Sequence, residues 1–261
     1  MTLRANTLLP VLAATLALAG CSNTPGSPSS LGVGRGSSDS VAALASPDVA
    51  IFSIDGADTS SSGRGPCVFD PETGQFVCPD RTRNGITLTM RFTLYDANGN
   101  VQSRFDRATT AAIRTETTAT GTTSRQGATI TINRSGVMMT TGLGPTATTH
   151  TLNGSEQGTI RSTQTTPDGT VTTETSIQET TTNLVVPVRA RDSAPRYPLS
   201  GVRVRTTVAT TTRRGDTRTV TTRRQETFNG TNIVQIELTV NGVTEYCTFD
   251  LDTRTSTCGR R

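Results

Sequence analysis

Four cysteines in the body of the chain have the type and spacing for redox chemistry. They stand in residues 67–78 and 247–258, and both segments fit the pattern Cys-x-Phe-Asp-x-x-Thr-x-x-x-x-Cys. Four cysteines allow three pairings, and we predict the two local disulfides, Cys67 with Cys78 and Cys247 with Cys258, each across a hairpin. A four-cysteine zinc site is the alternative, but zinc sites usually have two-residue spacings within a pair. We therefore predict no metal and no cofactor.

Arginines between residues 189 and 224 are the second candidate for chemistry. This stretch holds ten Arg and two Asp, although the net charge of the whole chain is only +4. Guanidinium groups bind phosphate and carboxylate groups in a bidentate manner, so a cluster of them is a candidate site for anionic polymers. The alternative is a solvated Arg/Thr face that keeps sheet edges soluble. The candidate binding residues are Arg203, Arg205, Arg213, Arg214, Arg218, Arg223 and Arg224.

A catalytic set is not visible in the sequence. His150 is the one histidine, and neither a Cys nor an acid stands beside it, whereas a Ser-His-Asp arrangement needs a base that a third group orients. The chain also lacks Gly-x-Ser-x-Gly, a phosphate-binding loop and His-Glu-x-x-His. Paired carboxylates can cleave glycosides without histidine, but Trp is absent and no aromatic sugar platform supports that chemistry. We predict no catalytic residues and no enzyme.

The N-terminus has the layout of an export signal. Residues 1–7 carry one Arg and no acid, and residues 8–18 are nearly all apolar. Small residues then lead to a cysteine, as in a secretory signal. Because the apolar run is about half of the ~20 residues that a membrane-spanning helix needs, we do not expect a permanent transmembrane segment.

The last four residues of this region, Leu18-Ala19-Gly20-Cys21, resemble the lipobox of bacterial lipoproteins at all four positions. The resemblance implies a signal peptide of residues 1–20, a diacylglyceryl thioether on Cys21, and usually an acyl chain on the new amino group. Two or more chains anchor a protein stably in a membrane. Ser22 is similar to the outer-membrane sorting pattern, so the implied location is the outer membrane, facing the periplasm or the cell surface. The alternative is an ordinary cleaved signal that happens to be followed by Cys.

A flexible tether follows the predicted lipid anchor. Between residues 22 and 40, thirteen of nineteen residues are Gly, Ser or Pro. Such a segment cannot bury enough apolar surface to offset the entropy of ordering it. Random-coil scaling gives it a reach of roughly 25 Å. We assign residues 21–48 to the lipidated Cys and the tether, with a candidate helical turn at 40–44, and residues 49–261 to one Thr-rich domain that begins near 49–52.

The sequence of the domain predicts a series of antiparallel strands. Thr supplies 54 of the 261 residues, and β-branched side chains favour a pleated, half-exposed surface. In residues 86–95 apolar and polar side chains alternate, which indicates a strand with one buried face. Gly-containing turns follow at regular intervals, which is typical of an up-and-down meander. Further strands are predicted at 101–105, 170–182, 202–212, 217–228, 233–240 and 243–249.

Three segments are harder to assign. Residues 105–113 are a candidate helix, the pair Ile130 and Ile132 indicates a strand, and residues 184–198 resemble a long connection. Val234, Ile236, Leu238 and Val240 are expected to share one strand face. Val202, Val204 and Val208 are expected to lie opposite Arg203 and Arg205. The predicted fold is all-β: an antiparallel meander that forms a large curved sheet, a sandwich or an open barrel, with two disulfide-closed hairpins.

The functional hypothesis follows from these features. We expect a lipid-anchored envelope lipoprotein with a non-enzymatic structural or interaction role, whose partners are the membrane and anionic envelope polymers or another envelope protein. The alternative is a periplasmic carrier of lipid or another apolar ligand in a curved-sheet cavity, although the low aromatic content argues against a large apolar cavity. A carboxylate-based hydrolase ranks third. Nucleic acid is not expected as a partner, because the protein is exported and stacking aromatics are scarce.

Overall fold

All regular elements of the described residues are β-strands. A computed structural model of the chain describes residues 67–125, 127–188 and 197–259. The strands are β1 (Val68–Asp70), β2 (Gln75–Val77), β3 (Arg81–Arg83), β4 (Ile86–Asp96), β5 (Val101–Gln102), β6 (Thr110–Arg125), β7 (Ala128–Thr141), β8 (Thr149–Thr166), β9 (Gly169–Pro187), β10 (Ser200–Arg213), β11 (Asp216–Phe228), β12 (Ile233–Val240), β13 (Val243–Asp250) and β14 (Thr255–Gly259). The all-β prediction is confirmed. Within these ranges there is no helix of the length and apolarity needed to cross a bilayer.

The strands form one antiparallel sheet in which neighbours in sequence are neighbours in space. The order is β1-β2-β4-β6-β7-β8-β9-β10-β11-β12-β13-β14, and the short strands β3 and β5 also pair with β4. The sheet is not closed, so β1 and β14 are its two edges. The predicted up-and-down meander is therefore confirmed, and it takes the form of a single open sheet.

The tight turns explain the regular pairing. Asn84-Gly85, Arg214-Gly215 and Asn241-Gly242 each have positive φ at both residues, from 48° to 87°. This is the geometry of the type I′ turn, whose twist matches that of the flanking strands. The longest strands, β6 to β10, lie in the middle of the sheet and have 14 to 19 residues. The strands predicted at 86–95, 170–182, 202–212, 217–228, 233–240 and 243–249 and around Ile130 and Ile132 are confirmed.

Three predictions of local structure were wrong. Residues 105–113 are not a helix, because β6 begins at Thr110 and Asp106 forms a turn in which its side chain accepts the N–H of Ala108 at 2.8 Å. The strand predicted at 101–105 ends at Gln102. Residues 184–187 belong to β9, since they pair with residues 149–152 of β8, so the connection begins later. The signal peptide, the tether, and the helical turn at 40–44 lie outside the described residues, as does the start near 49–52.

The two surfaces of the sheet, here named face A and face B, differ in composition. Face A carries a continuous row across five adjacent strands: Leu94, Ile113, Thr140, Leu152 and Leu184. Leu94 and Leu184 are only 2% and 1% exposed. On β11 to β13 the same face carries Phe228, Val234, Ile236, Leu238 and Phe249, all buried. The predicted shared face of Val234, Ile236, Leu238 and Val240 is thus part of face A.

Face B carries the opposite side chains. A second row crosses nine strands and consists of Thr89, Thr118, Ser135, Gln157, Gln178, Thr206, Arg223, Thr239 and Thr244. Val202, Val204 and Val208 also lie on this face, opposite Arg203 and Arg205 on face A, as predicted from strand alternation.

One glycine permits the packed row to continue past β9. Gly201 of β10 has φ +119°, and a Cβ at this position would lie 2.4 Å from the Cα of Leu184. The pairing of β9 with β10 changes register here, which is a β-bulge. Only glycine allows both the backbone angle and the close approach of the two strands.

Candidate functional site

The two cysteine motifs form the two edges of the sheet. Disulfides join Cys67 to Cys78 and Cys247 to Cys258, as predicted. The first closes the β1–β2 hairpin at one edge, and the second closes the β13–β14 hairpin at the other. The similar sequences thus occupy corresponding places, and each disulfide fixes a short edge strand to its neighbour.

The other shared residues of the motif build the turn of each hairpin. The Asp70 carboxylate accepts the Thr73 hydroxyl at 2.8 Å and the Glu72 N–H at 3.0 Å. The hydroxyl of Thr73, followed by the N–H of Glu72, lowers the pKa of Asp70. Asp250 accepts the N–H groups of Asp252 and Thr253, which likewise lower its pKa. The common Asp and Thr are explained by the turn, so they do not indicate a catalytic carboxylate.

The structure separates the seven candidate arginines into groups. Arg203, Arg205 and Arg224 lie on face A, directly beside the apolar row, with Glu179 and Glu226 between them. Arg205 Nε donates to Glu179 at 2.5 Å, and Arg203 lies 3.6 Å from Glu179 and 3.7 Å from Glu226. Arg224 pairs with Glu226. The side chains of Arg203, Arg224, Glu179 and Glu226 are only 10–14% exposed, so this is a buried ion-pair cluster.

Burial changes the electrostatics of the cluster. Desolvation lowers the pKa of Arg224, and the Glu226 carboxylate opposes that effect. A guanidinium remains charged even so, because its ordinary pKa lies far above neutral pH. Each cation therefore needs an adjacent carboxylate, and carboxylates already stand there. These three arginines face the sheet's own acids, and the burial of Arg203 and Arg224 keeps those two from a polymer.

The remaining four arginines are more accessible. Arg213 and Arg214, at the tip of the β10–β11 hairpin, bind Asp168 at 2.8 and 2.9 Å, with their side chains 56% and 62% exposed. Arg218 is exposed on β11. Arg223 lies on face B and is 3.3 Å from Glu237. The seven residues thus do not form one anion-binding surface.

Face B presents a regular array of hydroxyl groups. Direct hydrogen bonds join threonines of adjacent strands: Thr89 to Thr118 (2.6 Å), Thr122 to Thr131 (3.1 Å), Thr210 to Thr219 (3.1 Å), Thr212 to Thr217 (3.1 Å) and Thr239 to Thr244 (2.9 Å). The spacing in such an array is about 4.8 Å between strands and about 6.7 Å along a strand. This face offers many donors and acceptors and few charges.

The remaining candidates from the sequence are His150, a metal site and Cys21. The ring of His150 donates from Nδ1 to the Gly142 carbonyl at 2.8 Å, which ties the strand to the preceding loop. Among the described residues, no three His, Cys, Asp or Glu side chains come together as a metal site would require. Cys21 lies outside the described residues. The sequence interpretation missed Glu179 and Glu226, which become recognisable as partners of the arginines only when the strand register is known.

No protein-family model, curated protein or solved structure matches this chain.

Proposed function

We propose that this chain is a lipid-anchored envelope lipoprotein with a non-enzymatic interaction role. The sequence supports this proposal through the lipobox at Leu18-Ala19-Gly20-Cys21 and the Gly/Ser/Pro-rich segment that follows. The two disulfides are compatible with it, because such bonds persist in exported proteins.

The observation that carries the interaction role is the contrast between the two faces. Face A buries many of its apolar side chains and pairs its buried arginines with Glu179 and Glu226, whereas face B displays hydroxyl and amide groups over nine strands. A polar array of this size can hydrogen-bond an extended partner at many points. We therefore propose face B as the principal contact surface for an envelope polymer or envelope protein.

The arginines contribute at the margin of this surface. Arg213 and Arg214 remain more than half exposed at a hairpin tip even while they contact Asp168. A phosphate or carboxylate group of a polymer can compete for these guanidinium groups, because exposed ion pairs contribute only about 0–1 kcal/mol. The proposed contact with anionic polymers thus narrows from seven arginines to the two tip residues, because Arg218, although exposed, lies on face A.

The carrier hypothesis gains no specific support. A carrier needs an apolar cavity that a ligand can enter. The apolar side chains at the centre of face A are buried, and Leu184 and Ile236 are only 1% and 2% exposed.

Two measurements test the proposal. First, Cys21→Ser should move the protein from the membrane fraction to the soluble periplasmic fraction; continued membrane retention would contradict the anchor.

Second, the released protein should sediment with isolated cell-wall sacculi. Gln157→Trp places a large side chain in the middle of face B and should reduce the bound fraction, while Arg213→Gln with Arg214→Gln should reduce it less and mainly at low salt. Wild-type protein that stays in the supernatant would exclude the polymer as partner.

A further inference from the structure

A hollow of about 500 Å³ lies on face B, where β8, β9 and β10 run side by side. The hollow is open to solvent, and Arg161, Glu174 and Ser176 are exposed, while its volume is in the range of small-ligand sites, which are typically about 300–1,000 Å³. The lining residues are Arg161, Thr172, Glu174, Ser176, Val208, Thr210 and Thr212. All but one of these side chains are polar, and two carry opposite charges.

The two charged residues of the hollow face each other. Arg161 on β8 and Glu174 on β9 are direct partners in the strand register. Nevertheless, among the residues that the structure describes, they form neither an ion pair nor a hydrogen bond with each other or with a third side chain. Arg203, Arg205 and Arg223 each have a carboxylate within 4 Å, whereas among the described residues Arg91 and Arg218, like Arg161, have none. The hollow therefore contains one uncommitted cation and one uncommitted anion.

The lining restricts the chemistry of a ligand. An apolar molecule would remove water from two charges without replacing their hydrogen bonds, which is costly. An anion would be attracted by Arg161 and repelled by Glu174, and a cation would experience the reverse. A molecule with a carboxylate and an ammonium group satisfies both residues with charge-assisted hydrogen bonds. The hydroxyls of Thr172 and Ser176 can then serve its polar groups, and Val208 can contact a short aliphatic portion.

We propose that the hollow of β8–β10 binds a zwitterionic ligand, namely a short peptide with a free carboxylate and a free ammonium group. The carboxylate binds the Arg161 guanidinium, and the ammonium group binds the Glu174 carboxylate. No covalent step is involved. The site goes beyond the proposed function, because it depends on neither the lipid anchor nor a polymer contact on the rest of face B.

Methyl NMR of the full mature chain in detergent micelles tests the site, with the Val208 signals as the reporter. The probe is alanyl-alanine, and N-acetyl-alanyl-alanine amide is the same molecule without charges. The zwitterion should shift the Val208 signals in a saturable manner at millimolar concentrations, and the blocked dipeptide should not. Arg161→Gln and Glu174→Gln should each weaken binding about tenfold, since each removes one charge-assisted pair. Arg91→Gln, an exposed arginine of β4 outside the hollow, is the matched control and should bind as wild type.

A charge exchange sharpens the test. The double variant Arg161→Glu with Glu174→Arg keeps both charges in reversed positions and should bind the dipeptide within about threefold of wild type, because a small zwitterion can turn around. Unchanged binding in either single variant would overturn the proposal, as would an absence of any shift with alanyl-alanine. Equal shifts with glutarate, cadaverine or maltotriose would also overturn it, because those probes carry one kind of charge or none.

Discussion

The two faces of the sheet are built by the same strands and share every backbone hydrogen bond, yet they differ in what their side chains do. On face A, apolar residues pack in rows, and Arg203, Arg205 and Arg224 share Glu179 and Glu226 in a buried cluster. On face B, threonine, serine and amide side chains form a polar array whose central part, from Thr118 to Gln178, is exposed. Stability is therefore expected to reside mainly on face A, and recognition on face B.

The comparison also explains the composition of the chain. A β-strand of alternating residues can assign one face to packing while the other face is free to vary. Threonine satisfies the backbone preference of a strand without adding apolar surface. The abundance of threonine thus permits a wide exposed face. A leucine- or valine-rich face of the same size would be an aggregation hazard. If this division is correct, substitutions at adjacent residues of one strand should have very different effects.

The largest expected effect is on face A of β12. Ile236 is 2% exposed, and Ile236→Ala should lower the free energy of unfolding by about 4 kcal/mol, from lost transfer energy and the cavity left behind. The adjacent Gln235 points to face B and is exposed, so Gln235→Ala should change stability by less than about 0.5 kcal/mol. Urea unfolding of the two variants measures the difference. Similar losses for both would remove the proposed division between the faces.

A second effect concerns charges. Glu226→Gln leaves Arg203 and Arg224 with one carboxylate fewer in a buried setting and should cost about 3 kcal/mol, since breaking a buried ion pair leaves an uncompensated charge. The exposed counterpart is Asp168, and Asp168→Asn should cost no more than about 1 kcal/mol. Thermal unfolding at low and at high salt checks both values. A salt-sensitive loss in the Glu226 variant would mean that the cluster is more open to water than its geometry indicates.

Sequence patterns predicted much of this arrangement. Alternation in 233–240 and the glycine turns gave the strands and their faces, and the repeated Cys motif gave both disulfides. The helix expected at 105–113 was wrong because Asp106 stabilises a turn and Thr110 already pairs in β6. The arginine grouping was not predictable, because Glu179 lies 24 residues from Arg203 in sequence and becomes its neighbour only through the β9–β10 register. To predict a site whose residues come from several strands, one must know the strand register, and local sequence patterns do not contain it.

The next effect concerns the disulfides, which lie on face A at the two edges. Cys247 and Cys78 are 3% and 6% exposed. Removing one bond by Cys247→Ala with Cys258→Ala should cost about 2.8 kcal/mol, from the chain entropy of a 12-residue loop. The corresponding variant, Cys67→Ala with Cys78→Ala, removes a disulfide that closes a loop of the same length, and it is the matched comparison. Denaturant unfolding should give similar losses for both; a loss at one edge alone would show that the two motifs are not equivalent.

The smallest expected effect lies on neither face, in the turns that hold Asp70, Asp96 and Asp250. Hydrogen bonds from neighbouring side chains and N–H groups lower the pKa of all three carboxyls: Thr73 contributes most at Asp70, Asn100 at Asp96, and the N–H of Asp252 at Asp250. A carboxyl with a lowered pKa in the folded state stabilises the fold above its unfolded value of about 3.9, and this contribution is lost as pH falls through the folded value. Stability should thus decline below about pH 4 in the wild type.

The matched variant for this prediction is the triple substitution Asp70→Asn, Asp96→Asn and Asp250→Asn, in which the amide oxygen still accepts the turn hydrogen bonds but no longer titrates. Urea unfolding midpoints measured between about pH 6 and pH 2 should fall less steeply in this variant than in wild type. Asp216→Asn, at the exposed start of β11, is the control. An identical decline in the wild type and the triple variant would place the acid sensitivity outside these three turns.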